Sequence, residues 1–146
     1  MTSPALVVAP YEPYWQERGA QLAAEVRAAL GPLALRVDHI GSTAVPGMAA
    51  KPVYDLQVSV RDKAQPGGER INLHCRVAGS PNERLALLVR DWLRAHPPAV
   101  AAYAAFKRVL AAAVNDIEVY TDVKDPVVDL VIVVAEDWAG ATGWTP

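Results

Sequence analysis

The stretch HIGSTAVPGMAAKPVYDLQVSV, from His39 to Val60, decides how the rest of this chain is read. A strand end runs into a Gly-Ser turn, a loop follows, and a second strand carries Asp55. Gly41 lets the backbone bend and approach a ligand closely, while Ser42 and Thr43 set hydroxyl donors beside free N–H groups, a nest of phosphate size. If the second strand runs from about Val53 to Val60, period-two alternation puts Asp55 on one face with Gln57 and Ser59. Tyr54, Leu56, Val58 and Val60 then turn to the core. A carboxylate facing such a nest is what Mg²⁺-assisted phosphoryl or nucleotidyl transfer requires, because the ion neutralises charge developing on the phosphate. Taken alone, Gly41-Ser42 is a tight turn that lets the chain leave its strand. With Asp55 and Lys51-Pro52 so near, the site reading is preferred. A carboxylate on a largely apolar strand needs compensation, which Lys51, Arg76 or a metal can give.

Upstream, a helix is expected from near Pro13, with Trp15, Leu22, Val26, Ala29 and Leu30 at helical spacing and Gly31-Pro32 ending it; a strand follows over about Leu33 to Ile40. Downstream, Ile71, Leu73, Cys75 and Val77 alternate with Asn72, His74 and Arg76, a strand whose polar face can meet Asp55. Ser80, Pro81 and Glu83 form a capping box that opens the next helix. Its stripe is Leu85, Leu88, Val89, Trp92 and Leu93, and His96-Pro97-Pro98 breaks it. Arg90, beside Trp92, is expected in a surface ion pair with Asp91 or Glu83. A further helix over about Pro98 to Val114 carries Tyr103, Phe106, Leu110 and Val114, with Lys107 one turn beyond Tyr103. The β-branched run Val127–Val134 has strand propensity. Its apolar residues nevertheless recur at helical spacing through Trp138, so a helix is expected there, with Asp125 as N-cap and Pro126 at its first position.

Composition narrows the classes. A chain of 146 residues, 52% hydrophobic, suits one domain over 1–146 with a real core. Fourteen basic against 16 acidic residues, net charge −2, argue against a protein that coats nucleic acid, so a small ligand is expected. The lone Cys75 fits a reducing compartment, and neither a membrane-length apolar run nor a signal peptide is seen; a cytoplasmic protein with no membrane partner is expected. P-loop, dinucleotide and zinc spacings are missing. Asp38, His39 and Ser42 lie too close along one strand end to converge as a triad.

The pattern hIGSTxVPGhxxKPhhDhxV at the front, NLHCRV in the middle, and LVRDWLRAHP and Tyr120-x-x-x-Lys124 later resemble the GrpB family, over residues 6 to 139. That family is placed in the nucleotidyltransferase superfamily, whose signature is a Gly-Ser turn followed one loop later by Asp-x-Asp or Asp-x-Glu. The resemblance implies an α+β fold, a small nucleotidyltransferase-like mixed sheet flanked by helices, with a helical C-terminal half. It also implies Mg²⁺ on Asp55. Two departures stand out. The second metal carboxylate falls at Gln57, a neutral amide and a poorer Mg²⁺ ligand. Between Val60 and Ile71 only a short segment stands where relatives usually carry a helix and another strand, so an open cleft wall or a bared sheet edge is expected, coverable by a second copy of the chain.

Site expectations follow. Gly41, Ser42 and Thr43 hold phosphate. His39 is either a satisfied strand-end histidine or a substrate contact. His74 matches a family position near the site and is either a general base or a hydrogen-bonded structural residue. Lys107, Tyr120 and Lys124 match positions where the helical half faces the cleft, and two ammonium groups there can hold a triphosphate. Lys124 is preferred to Lys107, because it precedes the expected Asp125-Pro126 helix start, whose dipole favours anions. Three functions follow: a nucleotidyltransferase acting on a small acceptor, a non-catalytic nucleotide- or coenzyme-binding module, which Gln57 favours, and a biosynthetic enzyme acting on a small polar metabolite. The family's occasional fusion to a dephospho-coenzyme A kinase domain is an associational pointer to nucleotide or coenzyme ligands.

Overall fold

The helix expected from Pro13 runs over Tyr14–Leu30 (α1), and Trp15, Gly19 and Leu22 are its buried positions. In this computed structural model, residues 7–60 and 72–146 are described. After α1 come strands β1 (Arg36–Ile40), β2 (Asp55–Val60) and β3 (Asn72–Val77), then helices α2 (Pro81–Ala95), α3 (Pro97–Ala113) and α4 (Ile117–Thr142). The three strands form one mixed sheet in the order β1-β2-β3. β1 pairs antiparallel with β2, Ile40 opposite Asp55, and β2 pairs parallel with β3, Gln57 opposite His74. This is the α+β fold expected. Ile71 and the segment 61–70, with the cleft wall read there, lie outside the described residues.

β2 departs from expectation in a way that matters for function. Both of its faces are covered, not one. Val58 and Val60 pack with Ala34, against Val26 and Leu30 of α1. On the opposite face Gln57 and Ser59 are fully buried. What covers them is the start of α2: Gln57 Nε2 donates to the Glu83 carbonyl at 3.2 Å, and Ser59 Oγ donates to the Glu83 carboxylate. Ser80 caps α2 by accepting from Glu83 N, as the capping box predicts, but the Glu83 carboxylate turns away to take the Gly79 N–H and the Ser59 hydroxyl. Gln57 Nε2 and Ser59 Oγ find partners on Glu83, which offsets most of the cost of burying that face, while Gln57 Oε1 is buried without a hydrogen-bond partner. Asp55, at the strand's beginning, escapes this cover.

The loop between β1 and β2 is packed. Gly41 has φ 73° and ψ −170°, a region only glycine occupies comfortably, and a short 3-10 turn over Ser42–Ala44 follows. Val45, Met48 and Ala49 then enter a core with Leu93 of α2 and Val100 and Ala104 of α3.

The C-terminal helix corrects a boundary. It is a helix, as periodicity indicates, but its cap is Asp116, nine residues before the expected Asp125, and the Asp116 carboxylate accepts from the backbone of Glu118 and Val119. Pro126 lies inside it. The helix start expected just after Lys124 is therefore not there. Instead, Tyr120, Lys124, Val128 and Ile132, four residues apart, share one face. Leu88 of α2 with Ala135 and Ala139 of α4 form a separate core, flanked by Trp92, Trp138 and Trp144. Arg84 and Glu136 add a two-pronged ion pair between the same helices, the second contact 2.8 Å. Among the described residues no helix is long and apolar enough to cross a membrane.

Candidate functional site

Gly41 and Asp55 meet. A Cβ on Gly41 would stand 2.6 Å from Asp55 Oδ2, so the glycine both makes the bend and leaves room for the carboxylate. The antiparallel register explains this, since Ile40 faces Asp55 and the turn begins one residue later. The other carboxylate oxygen of Asp55 is 3.3 Å from His74 Nε2, the contact expected from the polar face of β3.

Beside this junction lie two adjoining chambers, of roughly 260 and 420 Å³, sharing Ser42, Asp55, Tyr103 and Lys124. The smaller is basic. Lys51, Lys107 and Lys124 line it, with Thr43 and Tyr120. Lys107, only 3% exposed, donates from Nζ to Ser42 Oγ at 2.8 Å and sits over the Tyr103 ring, 5.0 Å from its centre. Lys51 lies over the Tyr120 ring in the same manner, at 5.6 Å. Removal from water, and then the charges of Lys124 and Lys51, bring Lys107 down from the ordinary lysine value to about 7. Burial likewise pushes the Tyr103 hydroxyl up to about 12, so it stays a neutral donor. Of the described residues lining either chamber, Asp55 is the sole carboxylate.

Among the residues singled out in the sequence, Gly41, Ser42, Thr43, Lys51, Asp55, Arg76, Lys107, Tyr120 and Lys124 come together here. Three stand apart. His74 touches Asp55 but does not line either chamber. Gln57 lies under α2, as described. His39 belongs to the opposite face of the sheet, against α1, where Gly19 makes room: a Cβ there would stand 2.1 Å from its Nδ1. Its Nε2 lies 2.8 Å from Thr43 Oγ1, which in turn donates to the Val53 carbonyl, so Nε2 is the donor. Burial, with help from Arg94, lowers His39 to about 4 and keeps it neutral. It is the satisfied histidine of the two readings. Thr43 accordingly spends its hydroxyl on the fold. Arg90 pairs with Asp91 at 2.7 Å, the expected partner, but not on the surface: its side chain is largely buried and lines the larger chamber. Tyr103 was legible only as part of an apolar stripe, and the stripe read for the last helix, Val127, Leu130, Val131, Val134 and Trp138, is not the face that closes the cleft: Leu130 and Val134 are exposed, and Val128 and Ile132 line the larger chamber.

Magnesium, which the resemblance implies, finds a poor set of donors. Mg²⁺ takes oxygen ligands in strict octahedral geometry. Here one carboxylate is shared with an imidazole, Gln57 is fully buried under α2 with its Nε2 on the Glu83 carbonyl, and among the described residues no three His, Cys, Asp or Glu side chains gather as metal ligands. The paired-carboxylate site is not present in the described residues.

A small mixed sheet with a glycine turn, one acid and converging lysines defines an α+β domain of the kind seen in the crystal structure of conserved protein GrpB from Enterococcus faecalis. The TM-score to that structure is 0.79 at 26% identity, covering 90% of this chain and 99% of that one. The chain belongs to the GrpB family: the family model, GrpB protein, matches residues 5–69 and 62–133. The two pieces overlap at 62–69, where the sequence reads as shortened. The chain is 31% identical to a UPF0157 protein of Halalkalibacterium halodurans, over 85% of its own length and 79% of that protein. It is 33% identical to the Dephospho-CoA kinase of Mycolicibacterium paratuberculosis, over 94% of its length and 47% of that protein. It thus spans about half the length of the Dephospho-CoA kinases it matches.

Proposed function

We propose that this protein binds a phosphate-bearing small molecule, a nucleotide or a coenzyme, with the phosphates in the basic chamber. The observation that carries the reading is the convergence of Lys51, Lys107 and Lys124 on the Ser42 turn, against a single carboxylate among the described lining residues. Three ammonium groups in a partly desolvated hollow are unfavourable together and become favourable once a polyanion sits among them. The similarity to proteins named Dephospho-CoA kinase supports a nucleotide- or coenzyme-related ligand.

A panel of nucleotides and coenzymes screened by thermal denaturation tests this. A ligand at about a hundred times its Kd adds ~2.7 kcal/mol, several degrees in Tm for a chain of this size. The Lys107→Met, Lys124→Met double variant is expected to lose that rise. A double variant as responsive as wild type would overturn the assignment.

The pair Asp55–His74 supports a second reading, nucleotidyl transfer to a small acceptor, with His74 taking the acceptor's proton and Asp55 orienting the imidazole. Asp55 would be the one protein carboxylate for a magnesium ion held jointly with the ligand's phosphates. Under this reading Mg²⁺ strengthens nucleotide binding in wild type and not in Asp55→Ala, and pyrophosphate is released with a suitable acceptor. Equal Mg²⁺ responses in the two proteins leave the binding module.

A further inference from the structure

The larger chamber has a different chemistry from the basic one. Its wall is made by Val45, Leu85, Val89, Leu93, Val128 and Ile132, contributed by the turn after β1, by α2 and by α4. Its polar lining residues are Asp55, Ser42 and Lys124, shared with the basic chamber, and Asn82, Arg76 and Arg90. At roughly 420 Å³ it falls within the range of small-molecule sites, and its lining is the mixture such sites show, mostly apolar with a few polar groups. An isolated apolar hollow would say little. This one shares Ser42, Asp55, Tyr103 and Lys124 with the basic chamber, so the two hollows lie side by side against the same four residues.

We propose that the larger chamber is the subsite for an aliphatic body carried by the phosphate-bearing ligand, so that the protein recognises phosphate esters of apolar alcohols rather than phosphate alone. The proposal rests on the reading of the lysine chamber as a phosphate site and, among phosphate-bearing ligands, favours one whose phosphate carries an aliphatic arm over a plain nucleotide. Three aliphatic side chains from α2 and two from α4 have no directional demand, so they reward apolar area and do not read a hydrogen-bonding edge. The phosphate fixes the register, and the chain length of the ester sets the affinity. Burying one methylene is worth about a two- to fourfold change in Kd when it leaves water completely.

Calorimetric titration with methyl, butyl and hexyl phosphate tests this directly. Wild type is expected to bind each longer ester more tightly, by about two- to fourfold per methylene. In Val128→Asn and in Ile132→Asn, both half-buried positions, the gain per methylene should shrink while methyl phosphate binds as before. Lys124→Met should weaken all three esters by a common factor. Equal Kd values for methyl and hexyl phosphate in wild type would overturn the aliphatic subsite while leaving the phosphate site standing. Failure of every ester to bind wild type would overturn both. The wild-type series decides without the variants, so a substitution that fails to fold does not shield the proposal.

Discussion

At the scale of single residues, Lys107 shows what the cleft is built to receive. A lysine almost without exposure, with two other lysines near and a serine hydroxyl accepting its hydrogen bond, is costly to keep charged. Its folded pKa of about 7 lies below the ordinary 10.5. Between these values the unfolded chain holds a proton that the folded chain has released, so this residue makes stability rise with pH through that window. Below about pH 7 both states are charged and the full penalty of the buried ammonium is felt. Lys107→Met should therefore raise the Tm, and by more at pH 6 than at pH 9.5, as differential scanning calorimetry would measure. A bound polyanion reverses the bias and recharges the lysine, so wild-type affinity for phosphate ligands should fall as pH climbs past 7, with a shallower fall in the variant. Gly41, Ser42 and Asp55 were legible in the sequence because a turn and a following strand lie close along the chain. The burial of Lys107 was not: Tyr103 and Lys107 mark one face of a helix, but Ser42, which that face meets, is 65 residues away. The confinement of His39 also escaped, because its cause is a glycine in the middle of α1.

At the scale of elements, α4 teaches most about what local pattern can and cannot specify. The i, i+3, i+4 recurrence from Val127 to Trp138 was enough to reject a strand. Asp125-Pro126 imitates a helix start, and the true start, Asp116, is an equally good cap. What decides between them is packing: Tyr120 and Lys124 are needed on the cleft, and Tyr120 is buried there. Pro126 is then carried inside the helix, where it lacks the N–H that would reach the Asp122 carbonyl. Pro126→Ala should restore that bond and raise stability by about 1–3 kcal/mol, read as a higher urea midpoint at unchanged m-value. β2 carries the complementary lesson. Alternation gave its two faces correctly, and Asp55, Gln57 and Ser59 do share one. Which of the three stays open depends on where α2 crosses, and the capping box that starts α2 says nothing of its path.

At the scale of the whole molecule, the cleft is a seam between the sheet with its glycine turn and the helical half that brings the lysines and the aliphatic wall. The two are held in place largely through α2, which covers β2 on one side and meets α4 on the other. His96 stacks on Trp92 at 4.6 Å and presents its edge to Trp138, and Trp144 Nε1 donates to Asp91 at 3.1 Å, closing the far end of that contact. Trp138→Ala should cost about 2 kcal/mol or more. Although Trp138 lines neither chamber, the substitution should also weaken phosphate-ligand binding, measurable by titration well below the melting transition. The family's fold was readable because its motif spans the sheet. The assembly of the cleft was not, because it depends on contacts between segments far apart in the chain. One consequence follows from the chain of bonds behind the glycine turn, where the Val53 carbonyl accepts from Thr43 and Thr43 from His39, itself wedged over Gly19. That bracing makes the turn a ready-made socket. A guest need not mould it, so the loss of conformational freedom on association falls mainly on the guest.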